Sequence, residues 1–303
     1  MKYAITGANG FVGRALVALL VQDTPAGDVR AIVRDEARAR AELPQAGLDL
    51  RVADITRPDT LRGAFDATDV VVHTVAIPTE RHGSFEDVNA RGTEAVVAEA
   101  ERAGARRIVH VSAIGADPAS PYPFLKSKGR GEVAVRGSRI AHVVLRPSIL
   151  FGEGDDFFPR LGFTLMFPVV PVPGDGKARF QPLHVGDLAL AIRRASRDEH
   201  LGGVHELGGP TIATYDDLLE ETMRGYGRHR PTLHLPVVLM KPPALFMGLL
   251  MADPPVSVPQ LDLLAVDNTP HPNAIEQVFQ VTPRPFDLGY LRKLRYKTGQ
   301  KPA

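Results

Sequence analysis

Tyr3-Ala4-Ile5-Thr6-Gly7-Ala8-Asn9-Gly10-Phe11-Val12-Gly13 reads as a short apolar strand that runs straight into three regularly spaced glycines. The apolar segment behind them, Arg14–Val21, has helical texture, so the glycines occupy a strand-to-helix turn. In that position they permit a tight turn, let the backbone approach a pyrophosphate, and allow the helix to pack on its sheet. The helix N–H groups and dipole then receive the negative charge. The turn implies a dinucleotide seated on Thr6, Gly7, Asn9, Gly10, Phe11, Val12 and Gly13.

Working outward, β-branched runs alternate with helical segments up to about residue 150: Val29–Val33, Val70–Val75, Ala90–Ala103, Ile108–Ser112 and His142–Leu145. Runs such as Val70-Val71-Val72 are apolar on both faces, as strands are when helices cover both sides of a parallel sheet. The expected fold class is α/β, a Rossmann doubly wound parallel sheet with a smaller C-terminal lobe. Turn-rich texture after Leu150 marks the lobe, and Leu183–Val185 with the helical Asp187–Ser196 marks a return. The expected division is 1–150 and 181–208 for the nucleotide domain, 151–180 and 209–303 for the lobe.

The 303 residues, 44% hydrophobic, suffice for a large core. With 36 basic and 35 acidic residues the net charge is +1, so no whole-protein field recruits nucleic acid. The absence of cysteine excludes disulfides, thiolate metal sites and a cysteine nucleophile. The chain opens on a strand, leaving no room for an export signal, so the cytoplasm is the expected compartment. The apolar stretch Leu235–Met251 is broken by Lys241, Pro242 and Pro243 and reads as a pair of packed helices, with peripheral membrane association left open and no transmembrane segment.

Arg34 follows the second strand, about 20 residues beyond the glycines, where an NAD-preferring site carries an acid for the ribose 2′-hydroxyl. A guanidinium there pairs with a 2′-phosphate and stacks on adenine, which favours NADP(H) over NAD(H). Asp54, with Ile55 behind the third strand Leu50–Ala53, accepts from the adenine amino group or caps the following segment. His73, His110 and His184 lie in or beside apolar strands and read as hydrogen-bonded core residues, with no metal expected. Glu153, Asp155 and Asp156 read as a solvated acidic loop, with contact to a cationic substrate group as the alternative. Phe157, Phe158, Phe163, Met166 and Phe167 form either a lobe core or the wall of an apolar substrate pocket.

With these residues placed, the chain resembles the extended and atypical short-chain dehydrogenase/reductase superfamily, in the branch that contains the nucleotide-binding accessory subunit of mitochondrial complex I. The resemblance rests on the glycine turn, Val88-Asn89-Ala90-Arg91-Gly92-Thr93, His110-Val111-Ser112-Ala113-Ile114-Gly115-Ala116, Lys128 with Glu132, Leu145-Arg146-Pro147-Ser148-Ile149-Leu150-Phe151-Gly152 and His184-Val185-Gly186-Asp187-Leu188-Ala189. These stretches occur in order over about the first two thirds of the chain. The resemblance implies that Val75, Ala76 and Ile77 line the cofactor, that Asn89 supports the site, and that Pro147 and Ser148 approach the nicotinamide. It also implies that Lys128 bonds the nicotinamide ribose.

Active members place a tyrosine four residues before that lysine, as proton donor or acceptor, with a serine or threonine beside it. Tyr122 and Lys126 have the spacing, but Lys128 has the family's glutamate four residues on, at Glu132, and in that register Phe124 takes the tyrosine position. Pro123 opposes helical geometry at Tyr122, which favours the Lys128 register. The catalytic candidates are therefore Lys128, Tyr122 and Ser112, the last being equally a strand-end residue. Two functions stand: an NADPH-dependent oxidoreductase for a small carbonyl or quinone-like molecule, and a non-catalytic NADPH-binding protein. A sugar-nucleotide epimerase or dehydratase ranks third, because it needs the same tyrosine.

Overall fold

The computed structural model of the protein describes residues 1–43, 47–250, 256–287 and 289–292. Seven strands make one parallel sheet: β1 (Tyr3–Thr6), β2 (Val29–Val33), β3 (Asp49–Val52), β4 (Val70–His73), β5 (Arg107–Val111), β6 (Ala141–Pro147) and the strand Gly203–Leu207. Their order is Gly203–Leu207, β6, β5, β4, β1, β2, β3, the doubly wound arrangement expected from sequence. β1 pairs with β2 on one side and with β4 on the other, so strand order reverses where the glycine turn leaves the sheet. Ligands bind beyond the carboxyl ends of the strands at such a switch point.

Around this sheet lie α1 (Phe11–Leu20), α2 (Glu36–Glu42), α3 (Pro58–Leu61), α4 (Gly92–Arg102) and α5 (Pro123–Gly137), with the helix Val185–Arg197. Every residue of β1, β4 and β5 is buried, which is why these strands read as apolar runs without alternation. α1 turns Leu16, Val17 and Leu20 inward, and Val185–Arg197 turns in Leu188, Ala191, Ile192 and Ala195. Each large aliphatic side chain so buried contributes about 1.5–3 kcal/mol.

Contacts divide the chain into two units, Met1–Pro147 with Val185–Leu207 and His271–Thr282, and Ser148–His184 with Gly208–Pro270 and the described residues of Pro283–Ala303. The expected borders near 150 and 181 thus fall at Pro147 and Val185. His271–Thr282, expected in the smaller lobe, belongs instead to the sheet unit. Ile275, Phe279 and Val281 are buried there, the Phe279 ring meets His205 edge-on at 5.2 Å, and the His271 N–H donates to Glu206 at 2.9 Å. This segment covers the outer strand Gly203–Leu207, which lies outside the elements read from sequence.

The second unit is built on paired short strands, Leu150–Phe151 with Leu183–His184, Arg179–Phe180 with Ala213–Thr214, and Val170–Pro173 with Thr232–Leu235. Its core gathers Phe151, Phe158, Leu161, Phe180, Leu218 and Tyr226, and Phe158 stacks on Phe286 at 4.4 Å. The aromatic run therefore splits: Phe158 is core, whereas Phe163, Met166 and Phe167 are exposed.

Two sequence readings change here. Asp155 is not solvated; it is buried and accepts from the Phe158 N–H at 3.0 Å, capping the helix Phe157–Thr164, while Glu153 and Asp156 stay exposed. The Leu235–Met251 stretch is one helix up to its described end, Val237–Leu250, with Pro242 and Pro243 inside it. Proline has no N–H to offer the carbonyls of Val238 and Leu239, and both residues lie on the exposed side of the helix. Among the described residues no helix is long and apolar enough to cross a membrane.

Candidate functional site

Gly7 adopts φ +71°, the left-handed region, and a Cβ there would meet Val75 Cγ2 at 2.9 Å. A Cβ on Gly13 would lie 2.1 Å from the Gly7 carbonyl oxygen, so the first turn of α1 presses directly on the loop before it. α1 starts at Gly10 with no side-chain cap and no acid in its first turn, which leaves its leading N–H groups open to an anion. Thr74 Oγ1 donates to the Thr6 carbonyl at 2.8 Å and ties β4 to the turn. Val75, Ala76 and Ile77 follow directly. A pyrophosphate fits this cradle, because its walls are backbone and its field is positive.

At the carboxyl end of β2, Arg34 is exposed and makes no hydrogen bond or ion pair among the described residues. Its neighbour Asp35 is engaged elsewhere, capping α2 by accepting from the Arg38 N–H at 3.0 Å. Asp54 accepts from the Thr56 N–H and hydroxyl at 2.9 and 2.8 Å, an Asx turn, while α3 begins later with no side-chain cap. Burial works against the Asp54 charge, but the Thr56 bonds with Arg34 and Arg57 outweigh it and hold the carboxyl below its usual range. Ile55 is buried against α4, where a Cβ on Gly92 would meet its Cδ1 at 2.7 Å.

Sequence reasoning missed one feature of this corner. Glu42, at the end of α2, accepts from the Asn9 amide and from Arg38 Nε, both at 2.9 Å. The bond to Arg38, set against burial and aided by Asn9 and Arg14, keeps its carboxyl low. The available signal was the four-residue spacing of Arg38 and Glu42 on one face of α2.

Deeper in, Asn89 lies in the π-helical turn Glu86–Arg91 that leads into α4. Its side-chain oxygen accepts from the Ile77 N–H at 2.9 Å, and its amide donates to the Ile77 carbonyl and to Ser127 Oγ at 3.2 and 3.1 Å. One buried side chain thus fixes the turn after β4 to α5.

Lys128 is buried, and its Nζ donates to the Val111 carbonyl at 2.8 Å at the end of β5. Burial pushes the ammonium down to about 8, with Glu132 opposing that shift. Glu132 itself grips Arg146 bidentately, at 2.8 and 2.6 Å. Lys126 is exposed.

His73 and His110 are not separate core residues; their rings stack at 5.1 Å. Thr93 donates to the Asn89 carbonyl at 2.7 Å, so it accepts from His73 Nε2–H, and His73 Nδ1 accepts from Thr6. Burial, with the Lys128 charge nearby, drives His73 down to about 3 and His110 well below its usual value, so both rings are neutral. Among the described residues no group of side chains could hold a metal.

Tyr122 sits just outside α5 as its N-cap, with extended geometry (ψ 117°), and Pro123 is the first helical residue. Phe124, in the first turn, packs edge-on against Phe85 at 5.8 Å. Ser112 is buried at the end of β5; its N–H donates to Leu145 at 2.7 Å, but its hydroxyl has no partner. Pro147 closes β6, and Ser148, in the second unit, donates to the Asn268 side chain at 2.8 Å and accepts from the Gln181 N–H at 3.1 Å.

Residues 7–157, about half the chain, match the family model described as NAD(P)H-binding. The chain belongs to this NAD(P)H-binding family. It is 31% identical over 226 residues to NADH dehydrogenase [ubiquinone] 1 alpha subcomplex subunit 9, mitochondrial, of Arabidopsis thaliana, covering 71% of this chain and 56% of that protein. It is 32% identical over 205 residues to the ceramide reductase of Caulobacter vibrioides, covering 66% and 62%. The chain therefore spans less than two thirds of either relative. The NADPH-dependent quinone oxidoreductase of Escherichia coli, solved with NADPH, shares the fold at a TM-score of 0.75 and 21% identity over 98% of this chain and 100% of that one. The expected superfamily, with its complex I branch, and the expected nicotinamide dinucleotide are borne out.

Proposed function

We propose that this NAD(P)H-binding protein is an NADPH-dependent oxidoreductase that reduces a small, hydrophobic carbonyl or quinone-like acceptor. The observation that carries the reading is Ser112, whose buried hydroxyl is unpartnered at the strand end where the Lys128 ammonium is anchored. A buried hydroxyl left unpaired costs about 1–3 kcal/mol, and an oxygen of a bound ligand removes that cost. The names of the ceramide reductase and the quinone oxidoreductase are in keeping with such an acceptor.

When bound, NADPH supplies a hydride. The glycine turn and the open N-terminus of α1 hold the pyrophosphate, with Thr6, Asn9, Phe11 and Val12 around it, and Arg34 takes the 2′-phosphate. Asp54 and Ile55 border the adenine; Val75, Ala76, Ile77, Pro147 and Ser148 border the rest of the cofactor. Asn89 and Lys128 set the geometry of the ribose end. Ser112 donates a hydrogen bond to the acceptor oxygen, and the nearby lysine charge stabilises the negative charge that develops there. Tyr122, or a water admitted beside it, delivers the proton.

A second reading, a non-catalytic NADPH-binding protein, is favoured by Phe124, which takes the register position of the family's tyrosine and has no proton to give. The deciding experiment pairs NADPH binding with NADPH oxidation over a panel of carbonyls and quinones. Turnover that falls in Ser112→Ala while the NADPH Kd holds supports the reductase; tight binding with no turnover on any acceptor establishes the binding protein.

A further inference from the structure

The helix Val237–Leu250 carries a solvent-facing side made almost wholly of carbon. Val238, Leu239, Leu245, Phe246 and Leu249 are 61–78% exposed, and Pro242 and Pro243 lie among them. Its opposite side is apolar too, with Met240 and Ala244 packed on Leu261, so the helix core needs only one of its two faces. Exposed apolar surface on this scale marks an interaction site rather than a scatter of single residues. Its 14 described residues extend about 21 Å, long enough to lie in the interface of a bilayer.

Charge distinguishes the kind of partner. From residue 222 to residue 252 the chain contains no Asp or Glu, and from 157 to 174 there is none either, while Arg224, Arg228, Arg230, Lys241 and Arg160 fall in these stretches. Arg224 and Lys241 are neutralised, by Glu221 at 2.7 Å and Asp262 at 2.8 Å. Arg230 bonds only backbone carbonyls, those of Leu165 and His229, and Arg228 has no acidic partner among the described residues. The strand Thr232–Leu235 links these arginines to the helix, with Leu233 exposed on it, and its partner strand Val170–Pro173 follows the exposed Phe163, Met166, Phe167 and Val169. Apolar side chains without hydrogen-bonding groups, next to unneutralised arginines, match acyl chains beneath anionic headgroups.

We propose that this surface of the second unit docks on an anionic lipid bilayer, with Val237–Leu250 lying in the plane of the interface. The full chain should co-sediment with phosphatidylcholine vesicles containing about one-third phosphatidylglycerol, and far less with phosphatidylcholine alone. Leu239→Gln/Phe246→Gln/Leu249→Gln should lower vesicle partitioning by on the order of tenfold or more. Arg228→Gln/Arg230→Gln should lower it by about fivefold per charge on anionic vesicles only. Leu239, Phe246 and Leu249 are exposed and Arg228 and Arg230 half-buried, and unchanged NADPH binding by each variant certifies its fold. Failure of the parent chain to bind anionic vesicles overturns the proposal, as does equal binding by the triple glutamine variant. A parent dimer that ignores vesicles and that the triple variant dissolves to monomer in sedimentation velocity assigns the face to a second copy of the chain instead.

Discussion

Arg34 stands exposed at the end of β2 with its neighbouring acid already occupied in capping α2, so its guanidinium is available to an incoming phosphate. A hydrogen-bonded charge pair of this kind contributes about 1.5–3 kcal/mol, a factor of about ten to a hundred in affinity. Arg34→Ala should raise the NADPH Kd by about tenfold or more and leave the NADH Kd nearly unchanged in a fluorescence titration; equal losses for both would remove the 2′-phosphate assignment. Lys128 carries a different prediction, since its folded pKa of about 8 lies below the ordinary 10.5 and the folded state releases the proton first. Protonation therefore opposes folding; the penalty is full at pH values below about 8 and fades as pH rises through about 10.5. Relative to Lys128→Met, the apo protein should gain about 2 kcal/mol of stability between about pH 7 and about pH 9.5 in urea unfolding. Parallel pH profiles for the two would show that the ammonium is not desolvated.

At the scale of elements, the cradle depends on close backbone approach and on one bridging amide. Gly13→Ala places a methyl group into the Gly7 carbonyl. It should cost about 1–3 kcal/mol and abolish measurable NADPH binding by calorimetry. Asn89→Leu removes the bonds to Ile77 and Ser127. It should lower stability by about 2 kcal/mol or more and loosen the turn after β4, seen as faster amide exchange at Ile77. The glycine turn was legible because strand, turn and helix are contiguous and the requirement for glycine is local. The start of α5 was legible for the same reason, since Pro123 restricts the residue before it, and Tyr122 indeed lies outside the helix. The Asn9–Glu42 bond and the His73–His110 stack were not legible, because each joins side chains from elements separated in sequence.

Across the whole molecule, both units carry a buried ionisable group whose charge is disfavoured at neutral pH. In the second unit burial lifts Asp155 to about 7, against an opposing Phe158 N–H, and one of its oxygens is unpartnered. The folded state holds that proton more tightly than the unfolded chain, so the destabilisation is greatest above about pH 7 and disappears as pH falls towards the ordinary carboxylate range. Asp155→Asn should raise Tm by roughly 5 °C at about pH 8 and by much less at about pH 5 in thermal unfolding; an equal shift at both would show a packing effect in place of a charge effect. The acidic loop misled because nearest neighbours in sequence, Glu153 and Asp156, do face water, whereas Asp155 turns inward to cap a helix.

The sequence alone determined the doubly wound sheet, the glycine turn between its first strand and helix and the basic residue that follows β2, since each depends on residues within a few positions of one another and on backbone rules that hold in any context. Tertiary structure decided which unit takes His271–Thr282, where the Lys128 ammonium points, that Ser112 is left unpaired, and that a helix of carbon side chains faces outward. Those outcomes depend on which distant surfaces meet and exclude water, and neither periodicity nor spacing along the chain encodes that.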